Sequence, residues 1–571
     1  MERSSAKERE SVSNQRRIIF GIDLGTTYSC ISYVDEHGKA TILPSKEHGL
    51  TTPSVIFFEG ENRVVGEEAK NNAFVSPEST VEMVKRHMGE ANWRFLYEEQ
   101  EYTAEELSAY ILRKLALDAQ GQLNIPVRDV VITCPAYFGV AQREATARAG
   151  EIAGLTVHEV INEPTAAAIT YGLQTEEDQV VLVYDLGGGT FDVTIIEIKA
   201  SAITVVATGG DHHLGGRNWD EAVIIYLAQR WQAETGLLDD PTDSLETLQD
   251  LWLKAEKAKW ALSARNKTTV VVSHAGKNAK VTLTRAKFDE LTAGLLDRTV
   301  LFTKMTMEEA RTRGYDRLDK VLLVGGSTRM PQVEERLERE LHLPIRLFEP
   351  DEAVAKGAAI YGQKLLINQQ VHERAAAMSG VPIEEAITLK EFAVPVIEQA
   401  QQEIAQTLGI QARTLEKLVK TSITNVTSHS FGIIVTVDHH TARRREAIEN
   451  LMLANDPLPA MRVQIFGTLE NDQAIVELQV MENTQKAPLV EIEQDAQALE
   501  IGKVVLPLPP GLPAGSPIEV TFELDGQGRL HVIGREPQSK AAVEATFETK
   551  GGISQQEVQD ARSRVSSIRI L

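Results

Sequence analysis

Cysteine is nearly missing from this chain: Cys30 and Cys134 are the only two in 571 residues. Two thiols build neither a disulfide framework nor a multi-cysteine metal site, and such usage fits a reducing compartment. Positive charge is also in short supply, with 59 Lys and Arg against 82 Asp and Glu, a formal net charge of -23. No stretch clusters the basic side chains that a phosphate backbone requires, so a nucleic-acid partner is excluded. Long apolar runs are lacking, and with them any bilayer span; a membrane partner is not expected. The opening MERSSAKERESVSNQRR has no apolar core, which removes a secretory reading, and residues 1–17 are expected to be a disordered tail of a cytoplasmic protein. No GxxxxGK[ST] occurs either, so any phosphate must be held by something other than a Walker loop.

What is present is a repeated turn. FGIDLGTTYSC, from Phe20 to Cys30, and VYDLGGGTFDV, from Val183 to Val193, each read as a β-branched strand that ends in an aspartate and enters a glycine–threonine turn. Glycine lets backbone amides approach an anion closely, and the aspartates Asp23 and Asp185 are placed to hold a divalent cation. Two such cradles facing one cleft would clamp a polyphosphate. A third glycine turn, VLLVGGSTRMP from Val321 to Pro331, is suited to the nucleoside end and closes on a proline fit for the first turn of a helix.

With 42% apolar and 25% charged residues, the chain exceeds what one hydrophobic core supports. Strand and helix patterns alternate over residues 18–362, and the duplicated turn predicts a two-lobed α/β domain with a cleft between its lobes. Residues 363–421 read as a helical insert or linker of two or three helices, broken at Gly380, Pro382 and Gly409. Over 422–552 the pattern becomes period two, which predicts an antiparallel β-domain; DGQG at Asp525–Gly528 is its hairpin signal, and Gly511–Gly515 a loop. Residues 553–571 are expected to form a short C-terminal helix.

The ordered motifs FGIDLGTTYS, CPAYF, INEPTAAAITYGL, YDLGGGTFDVTI, EKAKWALS, LLVGGSTRMP and PDEAVAKGAAIYG resemble the nucleotide-binding domain of DnaK-type heat-shock chaperones. SFGIIV, RVQIFGTLENDQAIVELQV and PIEVTFELDGQGRLHV resemble, more loosely, that family's peptide-binding β-sandwich. The resemblance implies an actin-like ATPase domain binding ATP or ADP with Mg²⁺, K⁺ being a further candidate ion. Asp23 and Asp185 would hold the metal largely through its waters. Gly25, Thr26, Thr27, Tyr28, Gly187, Gly188, Gly189 and Thr190 would line the phosphates. Lys85 would neutralise charge near the γ-phosphate, with Glu163, Thr190 and Asp192 completing the catalytic set. Without the resemblance, Lys85 reads as a surface lysine and Glu163 as a contact ahead of Pro164.

Glu256, Lys259 and Ser263, at helical spacing, would meet the adenosine together with Gly325, Gly326, Ser327, Arg329 and Asp351. Read from spacing alone they are an exposed charged helix face. Trp260 is open to two readings, a platform for adenine or a cap on the core. His212 and His213 read as a solvated loop without chemistry, since adjacent residues point apart. In the β-domain the resemblance places Ile433, Val435, Thr436, Phe466, Leu469, Val476 and Leu478 around a groove for extended apolar peptide; alternation alone predicts core for most of them.

Three departures from the family's pattern bear on mechanism. The short acidic–leucine linker is not recognisable, and the helical segment stands in its place. Glu159 occupies a position where the family carries an arginine that receives J-domain cochaperones, a charge reversal that opposes that partner. The helical lid is expected to be missing, so that bound peptide exchanges fast. GGRNWD also differs, with Arg217 and Asn218 where two acids are usual. The function implied is an ATP-dependent chaperone for unfolded or client polypeptides, with a nucleotide exchange factor as a further candidate partner. The rivals are a low-turnover, nucleotide-gated scaffold for one client and a small-molecule kinase of the same fold superfamily.

Overall fold

The structure, a computed structural model, describes residues 17–571 apart from 176, 200–201, 383–391, 409–414, 416–418, 439–443, 493–497, 527 and 548–553. The expected tail, save its last residue, and the expected break at Gly409 lie outside the described residues.

Two sheets build the two lobes, and each centres on a strand that delivers a cradle. In the first lobe Ile19–Asp23 runs parallel to Asp129–Cys134 and antiparallel to Tyr28–Val34. In the second, Gln179–Leu186 runs parallel to Lys320–Val324 and antiparallel to Phe191–Lys199. The same local topology therefore ends twice in an aspartate followed by a glycine turn. The last six residues of Gln179–Leu186 are all buried, which explains its near-continuous apolar sequence: a central strand is covered on both faces.

Between the sheets lies an alanine-rich core. Ala166, Ala167 and Ala168 on the helix Glu163–Gln174 pack with Ala353 and Ala358 on the helix Ala353–Ser379. The helices touch so closely that a Cβ at Gly357 would stand 1.8 Å from the Ala166 carbonyl oxygen. Small residues here are a packing requirement, since nothing larger fits between the backbones.

The helix Ala353–Ser379 corrects the expected organisation. It runs unbroken through the boundary placed at residue 362 and ends at Gly380, whose φ of 67° is the left-handed C-cap that glycine favours. The insert is thus an extension of the two-lobed domain's last helix, onto which Val394–Leu408 folds back through Ala400 and Ala405 against Ile367, Val371 and Ala375. A second correction concerns the linker. Ser422–Thr424, expected to open the β-domain, instead pairs in parallel with Ala202–Asp211, Ile203 opposite Ile423, as the sixth strand of the second lobe's sheet. The segment that leads into the β-domain is therefore docked on the second lobe.

The β-domain is a sandwich of a five-stranded and a four-stranded sheet around Ile433, Leu478, Val480, Val520 and Phe522. Asp525 and Gly528 close the hairpin between Pro517–Leu524 and Leu530–Arg535. One of its strands, Arg445–Met452, was not among those anticipated. Its REAIENLM sequence shows no clean alternation because both of its faces are covered toward its end, Leu451 and Met452 by the sandwich core and Ile448 by Met481 and Val490.

The sandwich rests on the two-lobed domain. Ser428 Oγ donates to the Phe138 carbonyl at 3.1 Å, Val140 N–H donates to Glu482 at 3.3 Å, and Thr208 N–H donates to Asn455 Oδ1 at 3.1 Å. The C-terminal helix, Gln555–Ser567, begins with a capping box at Ser554 and Glu557 and buries Val558, Ala561 and Val565 in the first lobe's core. Beyond it, Arg569 and Leu571 exchange backbone hydrogen bonds with Arg63 and Val65. No helix among the described residues is long and apolar enough to cross a membrane.

Candidate nucleotide site

The cleft between the lobes holds a cavity of about 450 Å³, into which both aspartate turns and the third glycine turn open. Asp23, Gly25, Thr26, Thr27, Tyr28, Lys85 and Glu163 line it from the first lobe's side. Asp185, Gly187, Gly188 and Thr190 line it from the second, with Glu256, Lys259, Ser263, Gly325, Gly326, Ser327, Arg329 and Asp351 toward the mouth. Gly189 stands just behind: its carbonyl accepts from Arg86 Nη2 at 2.8 Å. Asp192 also lies one layer back, 1% exposed, with Oδ1 buried and unpartnered among the described residues.

The glycines of the second cradle are set by the first. A Cβ on Gly188 would lie 2.1 Å from Thr27 Oγ1, and one on Gly189 2.4 Å from Thr26 Cγ2. The two cradles interleave, so their amides and hydroxyls address a shared space between them. Gly325 is required for conformation as well, with φ at 82° and its missing Cβ facing Asp185 Oδ1.

At the base of the cavity carboxylates outnumber cations. Lys85, 6% exposed, pairs with Glu163 in the interior. Burial alone would lower the Lys85 ammonium, but Glu163 and Asp23 more than offset it and hold its pKa above the usual lysine value. Burial and the nearby Glu163 push Asp23 up to about 7, although Lys85 and the Thr133 hydroxyl, 3.0 Å away, pull the other way. Asp185 and Asp192 are likewise pushed well up, by burial first and then by Glu163. Such a set is electrostatically short of one strong cation, and Mg²⁺ fits it. Among the described residues no three His, Cys, Asp or Glu converge as a direct metal cage. Two aspartates acting through water suit an ion that dehydrates reluctantly.

Several residues of the cleft escaped sequence reading. Lys70 Nζ lies 2.7 Å from the Tyr28 hydroxyl and also pairs with Glu256, joining the lobes across the mouth. Asp220 Oδ2 accepts from Lys259 Nζ at 2.7 Å, fixing that lysine's direction. Neither had a local signal, because each partner comes from a different element. Arg217, one of the departures, also bridges the lobes: it pairs with Glu82 at 3.1 Å and lies 3.6 Å above the Trp252 ring. Trp260 is 58% exposed on the cavity's rim, which removes its reading as a core cap.

Of the expected peptide-binding residues, Ile433 and Leu478 are buried in the sandwich core, with Val435, Phe466 and Val476 half-buried against them. Thr436 is half-buried and Leu469 is 39% exposed. Glu159 is half-buried: both its oxygens accept from the Tyr361 hydroxyl at 2.8 Å, and it lines a pocket with Asn425 and with Gly526 of the β-domain hairpin.

The profile of the family described as Hsp70 protein matches residues 19–377 and 399–568. It passes over only 378–398 between the two stretches, the end of the long helix and the start of the next. With duplicated cradles, an inter-lobe cleft and a β-sandwich in register with that match, the chain belongs to the Hsp70 family, whose members are chaperone ATPases.

Proposed function

We propose that this protein is an ATP-dependent chaperone that binds extended apolar segments of unfolded or client polypeptides in a nucleotide-regulated cycle. One observation carries the reading: the strand that receives the linker, Ala202–Asp211, pairs with Phe191–Lys199, which itself follows the second phosphate cradle. On its other side the linker segment meets the helix Glu163–Gln174, Thr165 Oγ1 donating to Asn425 Oδ1 at 3.0 Å, so a change of lobe angle at the cleft reaches the linker.

In this reading the cradles bind the triphosphate, and Trp260 stacks on the base at the rim. Mg²⁺, held by Asp23 and Asp185 through water, supplies charge neutralisation at the phosphates. Lys85 offsets charge that develops on the γ-phosphoryl group, while Glu163, Thr190 and Asp192 orient the attacking water. Phosphoryl transfer asks chiefly for such positioning and charge stabilisation. K⁺ is a further candidate ion beside the phosphates.

The peptide groove lies at Val435, Thr436, Phe466, Leu469 and Val476, with Ile433 and Leu478 as its floor. Peptide backbone bonding gives breadth of clients, and one apolar pocket gives the preference. Glu159 is taken up by Tyr361, which favours operation without a J-domain partner at that position. A cytoplasmic location and an exchange factor belong to the same proposal.

The test is peptide dissociation from the purified chain in ATP and in ADP, beside Asp185→Asn and Lys85→Ala. Faster release in ATP, lost in both variants, supports the cycle. Equal release in both nucleotides overturns it and favours a nucleotide-gated scaffold.

A further inference from the structure

His212 and His429 lie near one another where the β-domain rests on the nucleotide domain. His212 follows directly on the strand Ala202–Asp211, and its ring packs on Tyr137 of the first lobe at 4.2 Å between centroids. Its Nδ1 is buried and has no hydrogen-bond partner among the described residues. This is not the solvated loop anticipated for GGDHHLGG.

His429 comes from the other side, just ahead of the strand Ser430–Val437. Its Nδ1 lies 3.1 Å from Glu482 and 3.2 Å from Ser428 Oγ, with 15% of its side chain exposed. Glu482 in turn accepts from the Val140 N–H of the first lobe. The His429–Glu482 pair is therefore part of the domain contact.

Among the described residues Asp211 and Glu482, the carboxylates at this contact, are already engaged. Asp211 pairs with Arg298, and Glu482 with His429. The remaining neighbours are His213, 6.0 Å away between centroids, and Tyr137, beside which Arg86 also stands. A proton on His212 would thus sit in a largely buried site near a second imidazole, with both of those carboxylates already paired. Burial first, then His429 and His213, hold its pKa below the ordinary 6.5, with Asp211 a lesser opposing influence.

The contact continues to the chemistry. The Tyr137 phenol lies beside Thr190, and the Phe138 carbonyl next to it accepts from Ser428. We propose that His212 and His429 form a proton-sensed contact between the nucleotide domain and the β-domain. Protonation of His212 releases the β-domain and loosens the Tyr137–Thr190 contact, which makes His212 a positioning residue for the hydrolytic site. The part concerning Thr190 rests on the ATPase reading above; the docking part does not.

The sign follows from linkage. Docking depresses the His212 pKa, so its contribution to docking is complete above about 6.5 and is lost as pH falls through the lower, docked value.

The experiment uses the full chain in ATP and Mg²⁺ with a donor–acceptor dye pair at Leu238→Cys, 97% exposed on the second lobe, and Gln538→Cys, exposed on the sandwich. Cys30 and Cys134 are buried and stay unlabelled. Energy transfer is followed from about pH 8 to about pH 5.5, a range that spans histidine titration. The expected result is a loss of the docked signal on acidification with a midpoint below about 6.5. In His212→Gln that loss is abolished, and in His213→Gln it is retained. His429→Gln gives a second route, with the midpoint displaced relative to the parent. A parent signal flat across the range, or a His212→Gln curve that overlays the parent's, overturns the proposal. ATP turnover measured in the same samples at the alkaline end is separate: its absence sinks the ATPase reading and leaves the docking curve interpretable.

Discussion

Glu106 and Arg564, 458 residues apart in sequence, form a two-pronged ion pair, with Arg564 Nε and Nη2 donating to the two carboxylate oxygens at 3.0 and 2.7 Å. The glutamate side chain is 1% exposed and the arginine 39%. This pair, with Val558 and Val565 beneath it, seats the C-terminal helix on the first lobe. Arg564→Ala leaves a buried carboxylate short of its partner, at a cost of about 1–3 kcal/mol. Faster amide exchange across Gln555–Ser567, with the rest of the first lobe unchanged, is the expected result. Unaltered exchange there would show that the apolar face alone holds the helix.

Glu163 is the buried counter-charge of Lys85. Glu163→Gln keeps the shape but removes both the charge and its capacity to orient water. Single-turnover hydrolysis should slow by about 10²-fold or more, the scale found when one preorganised electrostatic group is lost. Nucleotide affinity should change much less, and an equal loss in binding and turnover would assign Glu163 a structural role instead.

Asp23 binds its proton more tightly in the native state than in the unfolded chain, with a pKa near 7 against an ordinary 3.8. The native state then holds more protons than the unfolded one between those values, so stability falls as pH rises through that window. In buffer without nucleotide or magnesium, the melting temperature should drop from about pH 4.5 to about pH 7, beyond the effect of other groups, and Asp23→Asn should flatten that drop. Added magnesium nucleotide should raise the parent's melting temperature and do much less for the variant. A variant with the parent's pH profile would disprove the charge excess attributed to this site.

Ile423 is half-buried against the core between the sheets and sits in the short parallel pairing with Ala202–Asp211. Ile423→Pro removes a backbone donor from the ladder and a side chain from that core. ATP-driven acceleration of peptide release should be lost, while peptide affinity in ADP stays within about twofold, roughly 0.4 kcal/mol. Retained acceleration would mean that signals pass through the sandwich contacts and not through the linker strand.

Much of the nucleotide site was legible in the chain because it is built from short contiguous turns. A strand, an aspartate and a glycine–threonine turn form one local unit whose geometry follows from backbone freedom and side-chain size, and its recurrence at Asp23 and Asp185 announced two lobes. The sandwich was legible for a similar reason, since alternation records which face of a strand is covered; Arg445–Met452 escaped because both of its faces are covered toward its end. What stayed hidden depends on partners distant in sequence. Lys70, Asp220 and Arg217 carry no local pattern and acquire their roles only when another element supplies Tyr28, Lys259 or Glu82. The linker strand Ser422–Thr424 is too short to have a period, and Ala202–Asp211 gives it a place to pair. His212 reads as solvent-facing until Tyr137 and His429 enclose it. Local turn chemistry and periodicity are properties of a few neighbouring residues, whereas burial, ion pairing and strand addition belong to surfaces that exist only after the chain has closed on itself.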